Sequence, residues 1–147
     1  MPFISIYIHF VWATKHRFPY LVTKGDRLLV WKHIRKNAIE KGIHLDFVSG
    51  YADHCHCIVS LKATQSPDEV MRMIKGESSN FINNHICNGE FAWQQGYYAA
   101  AVPVQNLDKL REYIKNQEEH HKSQDFDQEY EKLLLKIGFK NVGIDWS

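Results

Sequence analysis

The sequence has 147 residues, of which 44% are hydrophobic, 13% aromatic and 24% charged, and its formal net charge is +1. This length and composition fit one globular domain and exclude disordered, collagen-like and disulfide-stapled chains. The longest apolar run, residues 3–13, falls short of the about 20 residues that cross a bilayer, and we expect neither a signal peptide nor a membrane partner. With only three cysteines, we expect a reduced, cytoplasmic protein.

Charge is unevenly distributed along the chain. Residues 1–62 carry 9 Lys+Arg against 4 Asp+Glu, whereas residues 63–147 carry 9 against 13. A basic first half can present a cationic face to phosphates, although uneven charge also arises by chance on a solvated surface. Charge alone therefore leaves nucleic-acid binding open.

Hydrophobic periodicity and turn residues divide the chain into eight elements. In chain order they are a strand over 3–12, a helix capped by Thr23 and ending at Gly42, strands over 45–51 and 54–61, a helix starting at Ser66 and ending near His85, a strand over 97–102, a helix capped by Asn106 and ending near Lys122, and a helix over 126–137. The order of the first six is that of the ferredoxin-like split β-α-β fold. We therefore predict an α+β fold with one antiparallel sheet, two helices on one face and extra C-terminal helices.

The run His54-Cys55-His56-Cys57 is the most informative motif. In a loop, four such ligands in a row would indicate zinc. In a strand, which the largely apolar residues 58–61 favour, the two histidines share one face and the two cysteines the other. Adjacent residues on opposite faces cannot close around one ion, so we take the cysteines as small core residues. The histidines then either ligate a metal or lie on the surface without a role.

The helix predicted over 107–122 offers further candidates. Its apolar residues mark a buried stripe, and at about 100° per residue Tyr113 and Gln117 lie one turn apart at the edge of that stripe. Gln117 can supply a carbonyl-oxygen ligand and Tyr113 a phenol nucleophile, unless Tyr113 packs in the core and Gln117 is solvated. Asp53, directly before the histidines, either orients one of them or occupies a simple turn.

These residues resemble a known family. His54-Cys55-His56 is similar to the His-hydrophobic-His motif of HUH nucleases, and the chain resembles the single-tyrosine HUH transposases of small bacterial insertion sequences, including the REP-associated tyrosine transposases. The stretches that carry this resemblance are Val11-Trp12-Ala13-Thr14-Lys15, Asp53-His54-Cys55-His56-Cys57-Ile58-Val59-Ser60, Lys75-Gly76-Glu77-Ser78-Ser79, Trp93-Gln94-Gln95-Gly96-Tyr97-Tyr98 and Tyr113-Ile114-Lys115-Asn116-Gln117. Cysteine at positions 55 and 57 departs mildly from the family pattern, in packing rather than in the ligand set.

The resemblance implies a catalytic domain over residues 1–122, with 123–147 as a C-terminal helical tail of the same domain. It also implies a homodimer that acts on single-stranded DNA beside a hairpin at insertion-sequence ends, in the cytoplasm and at the nucleoid. The implied ligands of Mg²⁺ or Mn²⁺ are His54, His56 and Gln117, and the implied nucleophile is Tyr113, which would form a 5′-phosphotyrosine.

DNA contacts would come from the basic first half and the neighbouring Lys75. The candidates, each of which could instead be a solvated surface charge, are Lys15, His16, Arg17, Arg35 and Lys75. Two other functions stay open. One is a non-cleaving protein that binds single-stranded or hairpin DNA on the same scaffold. The other is a small zinc-binding protein that uses the His-Cys-His-Cys run.

Overall fold

The computed structural model describes residues 2–120, 125–138 and 146–147 of the chain. Its one sheet contains the strands β1 (Tyr7–Ala13), β2 (His44–Tyr51), β3 (His54–Ser60) and β4 (Tyr98–Val102). The strands lie in the order β2-β3-β1-β4, and every neighbouring pair is antiparallel. The predicted ferredoxin-like α+β fold is confirmed. In the described residues, we find no helix with the length and apolar character needed to span a membrane.

The first two helices begin where the sequence predicts. Helix α1 (Lys24–Glu40) is capped by Thr23, whose hydroxyl accepts a hydrogen bond from a backbone N–H of the first turn. Helix α2 (Pro67–His85) is capped in the same way by Ser66, and its first residue is a proline, which lacks the N–H that a helix start leaves unbonded.

The two faces of the sheet are covered by different helices. Helices α1 and α2 pack on the face that contains Cys55 and Cys57, which are fully buried as predicted. The opposite face is covered by α3 (Leu107–Lys115) and α5 (Phe126–Lys136), whose apolar residues pack on Val11, Ala13 and Ile58. The extra C-terminal helices therefore cover the face to which His54 and His56 belong.

The start of the first strand differs from the prediction. The first strand begins at Tyr7 and not at Phe3, because Tyr7 pairs with the last residues of both neighbouring strands, Ser60 and Val102. Residues 2–6 are exposed, and Phe3 has 93% of its surface in solvent.

The helix predicted over 107–122 is interrupted. Helix α3 ends at Lys115, Asn116 leaves the helical conformation, and a short helix α4 (Gln117–His120) follows, while the predicted end near Lys122 lies outside the described residues. Asn106 precedes α3, but its side chain makes no capping hydrogen bond, since a 3-10 turn over Val104–Asn106 leads directly into the helix.

Candidate active site

A tight hairpin between β2 and β3 places the two histidines. Gly50 pairs with Cys55, and a Cβ atom at Gly50 would lie 2.3 Å from the backbone oxygen of His54. Only glycine permits the two strands to approach so closely at this point. The hairpin sets His54 and His56 next to each other on the face covered by α3 and α5, where both side chains have no exposed surface.

His54 lies between two oxygen acceptors. Its Nδ1 is 2.9 Å from Asp53 Oδ1, and its Nε2 is 2.9 Å from Gln117 Oε1. The Gln117 amide is oriented by its own Nε2, which donates to the backbone oxygen of Tyr113 at 3.3 Å. When Asp53 accepts the proton of Nδ1, the Nε2 lone pair and the amide oxygen face one point, an arrangement that a cation between them would stabilise.

Asp53 is an anion in this arrangement. Burial alone would raise its pKa, but the hydrogen bond from His54 and the charge of Arg17 outweigh burial and lower the pKa below its usual range. Arg17 Nη2 lies 3.2 Å from Asp53 Oδ2. The carboxylate is therefore ready to hold His54 by Nδ1.

His56 is held in a similar way by a histidine of the adjacent strand. His56 Nδ1 lies 2.9 Å from His9 Nε2, and the two rings are stacked. Burial, together with the nearby His56, lowers the pKa of His9 well below its ordinary value, so His9 is neutral and can accept the His56 proton. His56 Nε2 then points away from His9, towards Glu129.

Glu129 of α5 is the acidic residue of the site. Its Oε1 lies 2.8 Å from His56 Nε2 and accepts a hydrogen bond from the Tyr113 hydroxyl, and its Oε2 lies 3.8 Å from His54 Nε2. Only 1% of its surface is exposed. Burial, and then the charge and hydrogen bond of Glu129, raise the pKa of Tyr113, so the phenol is firmly protonated in this conformation.

Two ion pairs hold the elements that carry Gln117 and Tyr113. Arg27 of α1 donates to both carboxylate oxygens of Glu118, at 2.8 and 3.0 Å, which fixes α4. Arg111 of α3 donates to both oxygens of Asp46, at 2.8 Å each, which fixes α3 against β2. Both contacts have the bidentate geometry that favours arginine.

The structure brings together five of the residues that the sequence predicted: Asp53, His54, His56, Tyr113 and Gln117. Sequence reasoning missed His9 and Glu129. His9 shares a strand face with Val11, but its proximity to His56 depends on the register between β1 and β3. Glu129 lies three residues after Phe126, on the buried side of an amphipathic helix. An acidic residue at a buried position of this helix is the sequence feature that could have indicated a functional role.

The predicted DNA contacts do not form one patch. Lys15 and His16 are exposed in a turn directly after β1, whereas Arg17 is engaged with Asp53 and with Asp127 of α5. Arg35 lies on α1, on the other side of the sheet. Lys75 donates to the backbone oxygens of residues 94, 95 and 96, at 2.6, 3.0 and 3.2 Å, and so holds that loop.

The donor set fits a divalent metal. Ligand atoms of His54, His56 and Glu129 lie within 4.8 Å of one another, and the Gln117 oxygen adjoins His54. Imidazole nitrogens with carboxylate and amide oxygens suit borderline and hard divalent ions. This buried cluster can therefore bind a metal, and among the described residues no cysteine belongs to it.

A family model and solved structures match this chain. The family model described as transposase IS200 like matches residues 3–117. The chain belongs to the IS200-like transposase family. The matched region of this IS200-like chain includes both histidines, Tyr113 and Gln117, whereas Glu129 lies beyond it. No curated protein matches the sequence significantly.

Solved structures show the same fold. A protein of Deinococcus radiodurans R1 assigned as a transposase has a TM-score of 0.64 and 19% identity, over 79% of this chain and 93% of that one. A REP-associated tyrosine transposase bound to a REP hairpin has a TM-score of 0.61 and 18% identity, over 82% of this chain and 72% of that one. The resemblance found in the sequence is confirmed at the level of family and fold.

Proposed function

We propose that this chain is a metal-dependent transposase that cleaves and rejoins single-stranded DNA through a 5′-phosphotyrosine at Tyr113. The observation that carries the proposal is that the hydroxyl of Tyr113 and a nitrogen of His56, a proposed ligand, lie around the same point. The Tyr113 hydroxyl and His56 Nε2 both contact Glu129 Oε1, and the ring centroids of Tyr113 and His56 are 5.8 Å apart. A phosphate at that point would meet both groups.

The reaction needs one bond made for each bond broken. The Tyr113 oxygen attacks the phosphorus in line and loses its proton, while the bond to the 3′ oxygen breaks and that oxygen gains a proton. The phosphodiester becomes a tyrosine ester on the 5′ end of one strand. A 3′-hydroxyl of another strand can then attack the same phosphorus and release the tyrosine, so rejoining needs no external energy source.

The ligand set gives the reaction its charge stabilisation. We propose that His54, His56 and Gln117 hold Mg²⁺ or Mn²⁺, with Asp53 and His9 holding the two imidazoles by Nδ1. The bound ion would supply a Lewis acid for the non-bridging oxygens of the scissile phosphate. The buried position of the ligands keeps this charge effect strong, because little water screens it.

The partner we propose is single-stranded DNA beside a hairpin, as the hairpin-bound structural neighbour supports. Lys15 and His16 are exposed next to the site and suited to phosphate contacts. We further propose a homodimer that acts in the cytoplasm, at the nucleoid. Residues 1–122 would be the catalytic domain and 123–147 its tail.

The test is whether the protein forms a covalent adduct with DNA. We expect the protein, incubated with Mn²⁺ and labelled single-stranded oligonucleotides tiled over both flanks of its gene, to give a slow band on a denaturing gel. Tyr113→Phe should give no band, and neither should the unchanged protein in EDTA. Tyr130→Phe is the matched control, because it removes the hydroxyl of another largely buried tyrosine on the same sheet face.

Each alternative predicts a different result. A non-cleaving DNA-binding protein would shift the oligonucleotides on a native gel and give no adduct in any variant. A zinc protein built on the His-Cys-His-Cys run would lose zinc in Cys55→Ser and keep it in His54→Ala. An adduct that survives in EDTA or in Tyr113→Phe would contradict our proposal.

A further inference from the structure

A cavity lies between two stretches of the chain that take no part in the proposed active site. Residues 75–79 belong to α2, and residues 93–98 lead into β4. The cavity between them has a volume of about 440 Å³, which is within the range of small-ligand sites. Its lining includes Lys75, Gly76 and Ser79 of the first stretch, and Trp93, Gln94 and Tyr97 of the second.

Hydrogen bonds from α2 hold one wall of the cavity in place. The Lys75 ammonium group donates to the backbone oxygens of residues 94, 95 and 96, which uses all three of its donors. The indole nitrogen of Trp93 donates to Ser78 Oγ at 2.9 Å and fixes the same loop to the same helix. The wall is therefore formed before any ligand arrives, which lowers the entropy cost of binding.

Gly76 leaves open space on the α2 side of the cavity. It lies inside the helix, where glycine is less favourable than alanine. A Cβ atom at this position would meet no atom of another element within 4 Å. Packing within the protein therefore does not require glycine here. Glycine is also found where a ligand approaches the backbone closely, and Gly76 lines the cavity.

The remaining groups suit a flat ligand with polar edges. Asp68 accepts hydrogen bonds from the Tyr97 hydroxyl at 3.4 Å and from Arg72 Nη2 at 2.9 Å, and all three residues line the cavity. Gln94 is 4% exposed, and its Oε1 accepts from the backbone N–H of Ala13, whereas none of the described residues accepts from its Nε2. A nucleobase meets these groups well, because it stacks on rings and guanidinium planes and has edge oxygens that accept from an amide.

The cavity is connected to the end of the sheet that carries the proposed active site. Ala13, whose N–H donates to Gln94, pairs with His54 across β1 and β3. The exposed Lys15 donates through its backbone N–H to the oxygen of Ala92, directly before the loop that forms the wall. A single strand bound at the proposed site is therefore close to this loop.

We propose that this cavity binds one unpaired base of the single-stranded DNA substrate, stacked on Tyr97 and hydrogen-bonded by Gln94. The proposal rests on the proposed function, since that function supplies the strand. A base held here would fix the register of the strand, and so would select which phosphate lies at Tyr113. The cavity would then contribute to the choice of the cleavage site without taking part in the chemistry.

The first test fills the cavity without weakening the helix. Gly76→Leu places a side chain in the open space, and Asn80→Leu, an exposed change on the same helix outside the cavity, is the control. Anisotropy in EDTA measures binding of the tiled, fluorescein-labelled oligonucleotides. We expect Gly76→Leu to bind at least about tenfold more weakly, as expected for the loss of one stacked base, and Asn80→Leu to bind as the unchanged protein. The urea midpoint of Gly76→Leu should not fall, because leucine favours a helix more than glycine does.

The second test asks whether a base is what the cavity holds. In the oligonucleotide that binds best, bases are removed one at a time. We expect one abasic position to weaken binding to the unchanged protein by about tenfold and to have no further effect in Gly76→Leu. Tyr97→Phe, which keeps the ring, should retain this sensitivity, whereas Tyr97→Leu should lose it.

Two results would overturn the inference. One is that Gly76→Leu binds as tightly as the unchanged protein. The other is that the same abasic positions weaken binding equally in both, which would show that the cavity holds no base. The comparison of Tyr97→Phe with Tyr97→Leu decides the question even if Gly76→Leu folds poorly, since equal sensitivity in these two variants also contradicts the inference.

Failure of this inference and failure of the proposed function give different results. If Gly76→Leu forms the Mn²⁺-dependent adduct at the same phosphate and as readily as the unchanged protein, the inference is wrong and the transposase proposal stands. If the abasic scan gives the expected result but no variant forms an adduct, the cavity does bind a base and the proposed cleavage is wrong.

Discussion

At the scale of single residues, His54 and His56 each have Nδ1 within hydrogen-bond distance of a neighbouring side chain. The Nε2 atom of each ring faces the other proposed ligand atoms. Asp53 holds His54 and His9 holds His56, both through Nδ1, at 2.9 Å. With the proton on Nδ1, each Nε2 can ligate a cation. The two cysteines of the same strand do not ionise, since burial raises the pKa of Cys55 and Cys57 and keeps both as neutral thiols in the core.

Neighbouring residues of β3 should therefore differ in metal binding. We expect His56→Ala to weaken Mn²⁺ binding by at least about 100-fold, because it removes a ligand. Cys57→Ala, one residue away and equally buried, should leave binding unchanged because its side chain faces α1 and α2. Electron paramagnetic resonance of free Mn²⁺ measures both. Equal loss in the two variants would indicate that the strand is only destabilised and that the ligand assignment is wrong.

Strand alternation correctly predicted that His54 and His56 share one face of β3, because the faces of a strand follow from its period of two. The same reasoning could not find His9. Its contact with His56 depends on how β1 and β3 are aligned, and one residue of slip would reverse the face that His9 presents. The sequence of one strand does not specify its register with a neighbouring strand.

At the scale of elements, the short helix α4 shows how a distant ion pair can position Gln117, a proposed metal ligand. The sequence predicts one continuous helix through Gln117, but the chain leaves the helical conformation at Asn116 and restarts. Glu118 is drawn to Arg27, which has 6% exposure and also donates to the backbone oxygen of Leu21. A contact over 91 positions of sequence lies beyond what helix periodicity can predict.

Loss of that ion pair should loosen Gln117. We expect Arg27→Met to lower the free energy of unfolding by about 1 to 3 kcal/mol, because Glu118 and a backbone oxygen lose their donor. Lys32→Met, an exposed change on the same helix, is the control. Urea unfolding measures both, and Mn²⁺ affinity should fall only for Arg27→Met. If Mn²⁺ affinity is unchanged despite the loss of stability, the position of Gln117 does not depend on α4.

Helix caps, in contrast, depend on local sequence, and two of the three predicted caps are confirmed, whereas Asn106 makes no capping hydrogen bond. Thr23 and Ser66 each accept the hydrogen bond expected of a helix cap. The order of strands and helices followed from the same short-range patterns, and it was sufficient for the topology.

At the scale of the whole molecule, one chain supplies both the proposed nucleophile and the proposed ligands of the same site. Tyr113 lies against His56 of its own chain, so the site does not require a partner even if the protein is a dimer. The family match ends at residue 117, and the C-terminal helix contributes Glu129 from outside it. Neither the motif nor the resemblance could therefore predict the acid at the centre of the site.

The arrangement within one chain predicts the result of a mixing experiment. Tyr113→Phe and His56→Ala, each inactive alone, should stay inactive when mixed, because neither chain has a complete site. The measurement is adduct formation with Mn²⁺ after co-incubation, with light scattering to establish whether the mixed chains associate. Recovery of activity in associated chains would show that Tyr113 acts in the site of a partner.

The central claim is that Tyr113 becomes covalently joined to DNA, and mass spectrometry of the adduct tests it most directly. Trypsin cleaves after Arg111 and Lys115, so Tyr113 is released in a tetrapeptide that contains no other nucleophile of its kind. After nuclease digestion of the DNA, we expect this tetrapeptide to carry a 5′-phosphate-linked nucleotide, in samples prepared with Mn²⁺ and not in EDTA. A nucleotide on any other peptide, with this tetrapeptide unmodified, would contradict the assignment of Tyr113 and the reaction built on it.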